Sequence, residues 1–496
     1  MAQRPSWRED AGRMVLLRAI RASNPTSVAL IEGARRVTYG ELADLALRTA
    51  SGLRAQGVSP GAHVAVACPT GIDAVVAYLG VQAAGAVAVM VDYRNTTPEF
   101  EARFAVVDPR LVIVGGTGQI DLPDGVRVFR RAGDPSNDLP RLDESGSEAA
   151  QNAFSDSAAV LFTSGVSGAP RAVHLTHQNL LAGQRGQADM EGSALNADTI
   201  GLVALPLAHI FGLNSVLGAL LRIGATAVLM DRFDAVAATA LVAEHRVNAI
   251  SAVPQMWHSF MSADIPDDTF ANVIRATASA APLPESTVTR MRERFGLKLA
   301  GGYGLTETSG TISLDDPRAP RTGSVGRPLG DTEVRLVDTD GEVPEEGDSG
   351  EIWLRGTSVC TQYLSVEGIE SALDEDGWFH TGDVGVFDPA GRLSIVDRIK
   401  DVVIVGGFNV SPSEVETVLL MHPGVASAGV IGEPDEHSGE RIVAFVRPST
   451  NGSATVQELT DHCRRRLARY KVPTRFEVRD DLPLTDSGKV VRRLLR

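Results

Sequence analysis

Ala158-Ala-Val-Leu-Phe-Thr-Ser-Gly-Val-Ser-Gly-Ala-Pro-Arg171 is the stretch whose reading orders the rest of the chain. Its first five residues are an uninterrupted apolar run, as expected of a strand covered on both faces. The run gives way at once to two glycines and three hydroxyls (Thr163, Ser164, Gly165, Ser167, Gly168), closed by Pro170-Arg171. Glycine lets backbone N–H groups approach an anion's oxygens, and hydroxyls donate further bonds, so such a loop suits phosphate. The GxxxxGK[ST] spacing of a Walker loop is absent. Taken alone, a Gly/Ser turn of this kind is more often merely structural.

On either side of this stretch, helical and strand patterns alternate. Residues 39–56 carry Leu42, Leu45, Ala46, Ala50 and Leu53 at helical spacing. Residues 63–67, 87–91, 111–114, 226–230 and 248–253 are short apolar or β-branched runs. The alternation implies a parallel sheet with helices on its faces. Residues 72–91, broken only by Asp73 and Gln82, and 201–230, with His209, Asn214 and Arg222, are long apolar stretches. Glycines at 80, 85, 212, 218 and 224 punctuate them, so each reads as a buried helix followed by a parallel strand rather than a membrane span. Residues 134–152, rich in Pro, Asp, Ser and Glu, read as a surface connection.

After about residue 320 the texture changes to short strands (333–337, 351–354, 393–396) between Gly and Pro turns, which suggests a small β-rich subdomain. The charged segment 397–401 lies between two apolar strands and reads as a domain boundary. Beyond it, strands at 402–405, 428–431 and 442–446 and helices at 413–420 and 456–467 describe a compact α+β unit. Residues 464–496 hold eleven Lys or Arg against four acids. Such a segment is either a solvated face with a tail or a surface for phosphates or an acidic partner.

The whole chain has 496 residues, enough for about three domain-sized units. Its 47 basic and 62 acidic residues give a formal charge of −15, a poor balance for nucleic-acid binding. Cys68, Cys360 and Cys463 are too few and too scattered for a disulfide framework or a zinc site. Residues 1–12 show no apolar signal segment. A reducing, cytoplasmic setting is the expectation.

Further motifs follow the glycine loop in order: Gly302-Tyr-Gly-Leu-Thr-Glu307, His380-Thr-Gly-Asp383, Asp397-Arg-Ile-Lys-Asp401 with Gly406-Gly-Phe-Asn409, and Pro483-Leu-Thr-Asp-Ser-Gly-Lys489. Together they resemble the adenylate-forming superfamily of acyl-CoA synthetases, amino-acid adenylation domains and luciferases, across essentially the whole chain. The likeness is greatest to acyl- and aryl-CoA ligases. It implies an α/β fold: a large N-terminal domain (1–398) of parallel-type sheets flanked by helices, its β-rich subdomain at about 320–398, a hinge at 399–401, and a small mobile α+β C-terminal domain (402–496). It also implies a reaction: a carboxylate displaces pyrophosphate from ATP, and a thiol, of CoA or of a carrier-protein phosphopantetheine, then displaces AMP.

The resemblance also assigns residues. Thr163, Ser164, Gly165, Ser167, Gly168 and Arg171 match the loop holding the β- and γ-phosphates. Tyr303, between Gly302 and Gly304, matches the residue stacked on adenine, with Ala280, Ala281, Pro282 and Ile395 beside the nucleotide. Thr306 matches the α-phosphate contact and Glu307 the magnesium ligand, since a hard cation on phosphate needs a carboxylate. Asp383 matches the acceptor of both ribose hydroxyls, and Arg398 a holder of the ribose or phosphate region. Lys400 matches the hinge. Lys489 matches the catalytic lysine of the first half-reaction, where an ammonium stabilises charge building on the α-phosphoryl oxygens. Gly406 and Gly407 match the lining of the thiol channel.

Three departures stand out. Pro170-Arg171-Ala172 replaces the usual Pro-Lys-Gly, so charge is kept but the loop is stiffened. Ala278-Ser-Ala-Ala-Pro282 replaces a glycine-rich segment, adding methyl groups at the floor of the acyl pocket. Phe408 stands where acyl-CoA synthetases often have Glu, which bears on the acceptor. The segment 205–215 resembles the one that shapes the acyl pocket, with His209 near the carboxylate. Read alone, His209 is more often a packed core histidine. The implied lining is His209, Phe211, Gly212, Ser251, Ala278, Gly302 and Gly304. No Asp is placed to hold a substrate ammonium, so an uncharged chain or ring is expected: a medium or long fatty acid or an arylpropenoic acid. Three readings follow: a CoA ligase, an acyl-AMP ligase loading an acidic acyl carrier protein, and a nucleotide- or acyl-CoA-binding regulator without turnover. Monomer and homodimer both stay open.

Overall fold

The computed structural model describes residues 15–115, 120–130, 156–164, 170–338, 341–345, 347–398, 403–405, 408–435, 439–449, 455–484 and 490–495. The whole of the 134–152 connection and of the 399–401 hinge lies outside them. Among the described residues two large sheets form the N-terminal body. One has nine strands in the order Arg327–Pro328, Gly310–Leu314, Ala300–Leu305, Arg275–Ala278, Ala249–Ala252, Ile200–Val203, Thr226–Leu229, Val28–Glu32, Arg35–Thr38. The other has eight: Gly368–Ser371, Gln362–Ser365, Pro170–Thr176, Ser157–Ser164, Val87–Met90, His63–Ala67, Leu111–Val114, Val128–Arg130. Their interiors are parallel, as the alternation of patterns predicts. Both edges of the nine-stranded sheet and one edge of the eight-stranded sheet are antiparallel, while the Val128–Arg130 edge is parallel, so both sheets are mixed, and two of the antiparallel hairpins carry motifs.

The helix Tyr39–Ala55 starts at a capping box, Thr38 with Glu41, and buries Leu42, Ala46, Ala50 and Leu53, with Leu45 partly covered. Helix Ile72–Ala83 is buried on every face but that of Asp73 and leads to strand Val87–Met90, which explains the apolar run 72–91 without a membrane. No helix among the described residues is long and apolar enough to cross one. The run 201–230 differs from a single helix and strand. After strand Ile200–Val203 the chain forms a π-helix, Phe211–Gly218, one α-turn, Ala219–Arg222, and strand Thr226–Leu229. Gly212 permits this start, because a Cβ there would lie 2.6 Å from the Pro206 carbonyl oxygen.

Strands Glu333–Val337, Gly350–Arg355, Phe379–Phe387 and Leu393–Arg398 form an antiparallel sheet after residue 320. The C-terminal segment has its own core, in which Val415, Leu419, Val430, Ile442, Leu459 and Cys463 are buried between an antiparallel pair (Val425–Asp435, Gly439–Pro448) and helices Pro412–Leu420 and Val456–Arg464. Each such aliphatic side chain contributes about 1.5–3 kcal/mol. The second helix ends sooner than the periodicity to 467 suggests, its apolar continuation Leu467 being buried from a turn. A charged joint links this segment to the last strand of the body. Asp397, buried, accepts bonds from the Ser411 hydroxyl and the Ser413 N–H (3.0 Å) and meets Arg492 at 3.3 Å. Arg492 also pairs with Glu416 at 2.8 Å.

Candidate active site

The strands on either side of the glycine loop pair with each other. Strand Ser157–Ser164 pairs antiparallel with Pro170–Thr176, and Thr163 faces Arg171 across the ladder. Gly165, Ser167 and Gly168, like Lys400, Gly406, Gly407 and Lys489, lie outside the described residues, as do the side chains of Ser164 and Phe408. Arg171 pairs with Glu370 at 2.9 Å and lies 4.9 Å over the ring of Tyr363. Its charge is thus committed beside the loop to a neighbouring strand pair. Tyr363 in turn donates to Glu307 at 3.0 Å.

Glu307 sits in the turn 306–309 of a second hairpin, Ala300–Leu305 against Gly310–Leu314. The turn is closed from within. The Thr308 hydroxyl accepts from the Leu305 N–H (2.8 Å) and donates to the Gly310 carbonyl (2.8 Å). Ser309 adopts φ +58° and its hydroxyl donates to the Ser358 carbonyl at 2.8 Å. The Cys360 N–H donates to the Glu307 carbonyl at 2.7 Å. A Cβ at Gly304 would collide with the Gly310 carbonyl, so only glycine lets the strands cross this closely. Thr306, half-buried, shares the turn.

Tyr303, earlier on the same strand, is buried and donates to Asp383 Oδ2 at 2.6 Å. Arg398 faces Asp383 in the ladder of the third sheet and donates from Nε to Oδ1 at 2.7 Å. Each carboxylate oxygen has a second lone pair, so these two bonds leave acceptor capacity for a pair of hydroxyls. Burial and the Asp383 charge push the Tyr303 phenol far above its ordinary range, so it remains a donor. Burial likewise raises the Glu307 carboxyl, with the Tyr363 hydroxyl and the Arg398 charge pulling the other way. The structure therefore brings Tyr303, Glu307, Asp383 and Arg398 into one electrostatic neighbourhood and ties Arg171 to it through Tyr363. A desolvated carboxylate with a single side-chain donor fits a divalent cation that also takes phosphate oxygens, since magnesium is commonly held by one or two carboxylates plus substrate.

The remaining residues are more dispersed. Ser251, Ala278 and Gly302 lie on three adjacent parallel strands, with the Ser251 hydroxyl accepting from Thr277 at 2.8 Å. Ala278 and Gly302 are buried, and Gly304 half-buried. Phe211 and Gly212 open the π-helix. His209 is exposed, within electrostatic reach of Asp92, and this corrects its reading in isolation as a packed core histidine. Ala280, exposed between Ser279 and Ala281, has φ +71°, a conformation that suits glycine. Pro282 is exposed and Ile395 half-buried on the strand that ends at Arg398. Motif reading missed Tyr363 and Glu370. Gly368, at φ +125°, turns the chain between their strands, but no local signal says that Tyr363 reaches Glu307. A cavity of about 830 Å³ between helix His177–Asp189 and strand Gly310–Leu314 is lined by Arg185, Asp315, Arg318, Arg327 and Arg392 and includes none of the residues above.

Comparison with known proteins identifies the family. The family model described as AMP-binding enzyme matches residues 17–364, and that of the AMP-binding enzyme C-terminal domain matches 414–489. A feruloyl-CoA synthase of Amycolatopsis sp is 34% identical over 95% of this chain and 95% of its own. 4-Coumarate-CoA ligase 1 of Narcissus pseudonarcissus is 30% identical over 93% of this chain and 88% of its own. Among solved structures, o-succinylbenzoate CoA synthetase of Bacillus subtilis bound to its acyl-adenylate intermediate is 29% identical, covers 98% of both chains and superposes with a TM-score of 0.84. The same enzyme with ATP and magnesium ion is 30% identical over 97% of this chain and 98% of its own, with a TM-score of 0.82.

Proposed function

The chain belongs to the AMP-binding enzyme family, and from that premise we propose that it is a CoA ligase acting on an arylpropenoic acid. The observation that carries the reading is the convergence of Tyr303, Asp383, Arg398 and Glu307 in one electrostatic neighbourhood, in a chain similar along its length to feruloyl- and 4-coumarate-CoA ligases. The acceptor is CoA.

In the first half-reaction the substrate carboxylate attacks the α-phosphorus of ATP. A new acyl O–P bond forms as the bond to pyrophosphate breaks. The Asp383 oxygens accept the ribose hydroxyls, with Tyr303 and Arg398 fixing the carboxylate's orientation. Tyr303 presents its ring to the base. Thr306 donates to the α-phosphate. The 157–176 hairpin holds the β- and γ-phosphates. Glu307 holds magnesium, which supplies charge neutralisation to the phosphates when bound. Lys489 reaches the α-phosphoryl oxygens in this half only. In the second half the CoA sulfur attacks the acyl carbon, its proton leaves to solvent, and AMP departs with the electrons of the acyl C–O bond. The C-terminal unit turns about Lys400 between the halves and brings Gly406, Gly407 and Phe408 to the thiol path. The uncharged lining of Phe211, Gly212, Ser251 and Ala278 suits a flat ring with no ammonium.

ATP–pyrophosphate exchange tests this directly. Purified protein with Mg-ATP and labelled pyrophosphate is expected to exchange label when 4-coumarate or ferulate is present and not when the acid is omitted. Exchange with neither acid, in protein shown to be folded, would sink the substrate assignment.

A further inference from the structure

The π-helix does more than bound a pocket. Midway along it, two buried polar side chains, Asn214 and Ser215, face the turn that carries Thr306 and Glu307. Asn214 Nδ2 donates to the Ser309 carbonyl at 2.8 Å and to the Leu180 carbonyl at 3.0 Å, while its Oδ1 accepts from Gln184 at 2.8 Å. The Ser215 hydroxyl accepts from the Thr311 N–H at 2.9 Å and from the Thr311 hydroxyl at 3.2 Å. The Ser215 carbonyl accepts from Gln187 at 2.9 Å. The two residues therefore grip the hairpin on both sides of Gly310, which has φ +108° and whose missing side chain would otherwise occupy the place of Ser215 Oγ.

The first turn of the same helix holds Phe211 and Gly212, and Gly212 seats it against the carbonyls of Leu205 and Pro206. One short element thus joins the 205–212 segment to the 306–309 turn. Adjacent residues leave a helix less than about 100° apart when its turn is wider than that of an α-helix, so 214 and 215 reach the same hairpin from neighbouring positions. Local π geometry of this kind is found frequently at functional sites.

We infer that Asn214 and Ser215 are positioning residues for adenylate formation. They hold the 306–309 turn so that Glu307 stays in place for the magnesium that accompanies the pyrophosphate end of ATP, and they act through the turn rather than on substrate. The inference rests on the ligase reading above. It specifies an effect confined to the half-reaction that uses the pyrophosphate end of ATP. A merely structural role, satisfying buried carbonyls, would lower both halves together in proportion to the folded fraction.

The test uses the full chain with Asn214→Leu and, as the milder change, Ser215→Ala. Three quantities are read: exchange of ATP with pyrophosphate, the magnesium concentration for half-maximal exchange, and acyl-CoA formation from CoA and supplied acyl-adenylate. Expected are an exchange rate about tenfold lower for Asn214→Leu and about threefold lower for Ser215→Ala, and a magnesium requirement raised several-fold, with thioester formation within twofold of wild type. Should Asn214→Leu fail to fold, Ser215→Ala carries the decision alone. Equal losses in the two halves, or an unchanged magnesium requirement, would overturn the inference. Wild-type protein that shows no exchange with any aryl acid overturns the ligase reading first, and the inference with it.

Discussion

The 300–314 hairpin and the joint at Asp397 hold their residues by opposite means. The hairpin is fixed by many short bonds within one region: Thr308 to its own backbone, Ser309 to Ser358, Cys360 to Glu307, Tyr303 to Asp383. The joint rests on a few buried charges, Asp397 and Glu416 gathered by Arg492 and capped by Ser411 and Ser413. Apolar packing and dense hydrogen bonding favour a single arrangement. Buried charges that separate can be solvated by water or meet other charges, which suits the turning of the C-terminal segment proposed above. The nucleotide centre is held in one arrangement by these bonds, and the contrast bears on the proposal above that the C-terminal unit turns between the half-reactions.

The largest effect that would break or sharpen this contrast is that of Lys489→Ala. Adenylate formation should fall about 10²–10³-fold while thioesterification of supplied acyl-adenylate is retained. Parallel losses in the two assays would mean that the C-terminal unit acts uniformly, and the contrast would fail. Next comes Arg492→Ala, which leaves Asp397 and Glu416 as buried carboxylates without their cation and should cost about 3–5 kcal/mol. Amide exchange should rise in Pro412–Leu420 and Val425–Asp435 while Ala300–Leu305 keeps its protection. A rise spread evenly over both would show one cooperative block.

A third prediction concerns the body alone. His174, buried in strand Pro170–Thr176 beside His63, is held down to about 3 from 6.5, by burial first and then by His63. The unfolded chain therefore binds the proton more tightly between those values. Stability falls as pH drops from about 6.5 toward 3, by at most about 1.4 kcal/mol per pH unit from this residue. His174→Gln should flatten that slope in urea titrations at several pH values, and an unaltered slope would contradict the assignment. The smallest effect is that of Ala280→Gly. Relief of φ +71° is worth about 1 kcal/mol, partly offset by the greater freedom of glycine when unfolded. Thermal unfolding should shift upward slightly. A downward shift would mean that the Ala280 methyl packs productively.

Much of the fold was legible because its signals are local. Helix Tyr39–Ala55 follows from apolar spacing, and the parallel strands follow from short runs bounded by glycine. The antiparallel flanks were not, because pairing direction is decided by which neighbour a strand meets, as with Thr163 and Arg171. The π-helix was invisible for a similar reason. Nothing in 211–218 distinguishes it from an apolar α-helix until Asn214 and Ser215 find the turn 308–311. Within the site, Tyr303, Glu307, Asp383 and Arg398 are carried by contiguous motifs and were readable. Tyr363 and Glu370 enter from a strand pair some 200 residues after Arg171 and have no motif of their own.

The central claim, that this chain is an aryl-acid CoA ligase, is met most directly by a competition. Purified protein is given Mg-ATP, CoA and an equimolar pool of 4-coumarate, ferulate, benzoate and saturated fatty acids, and the products are read by mass spectrometry. The account predicts that the arylpropenoyl-CoA thioesters dominate from the earliest time point. A pool in which only fatty acyl-CoA accumulates, or in which arylpropenoyl-AMP builds up that CoA does not consume, would contradict it.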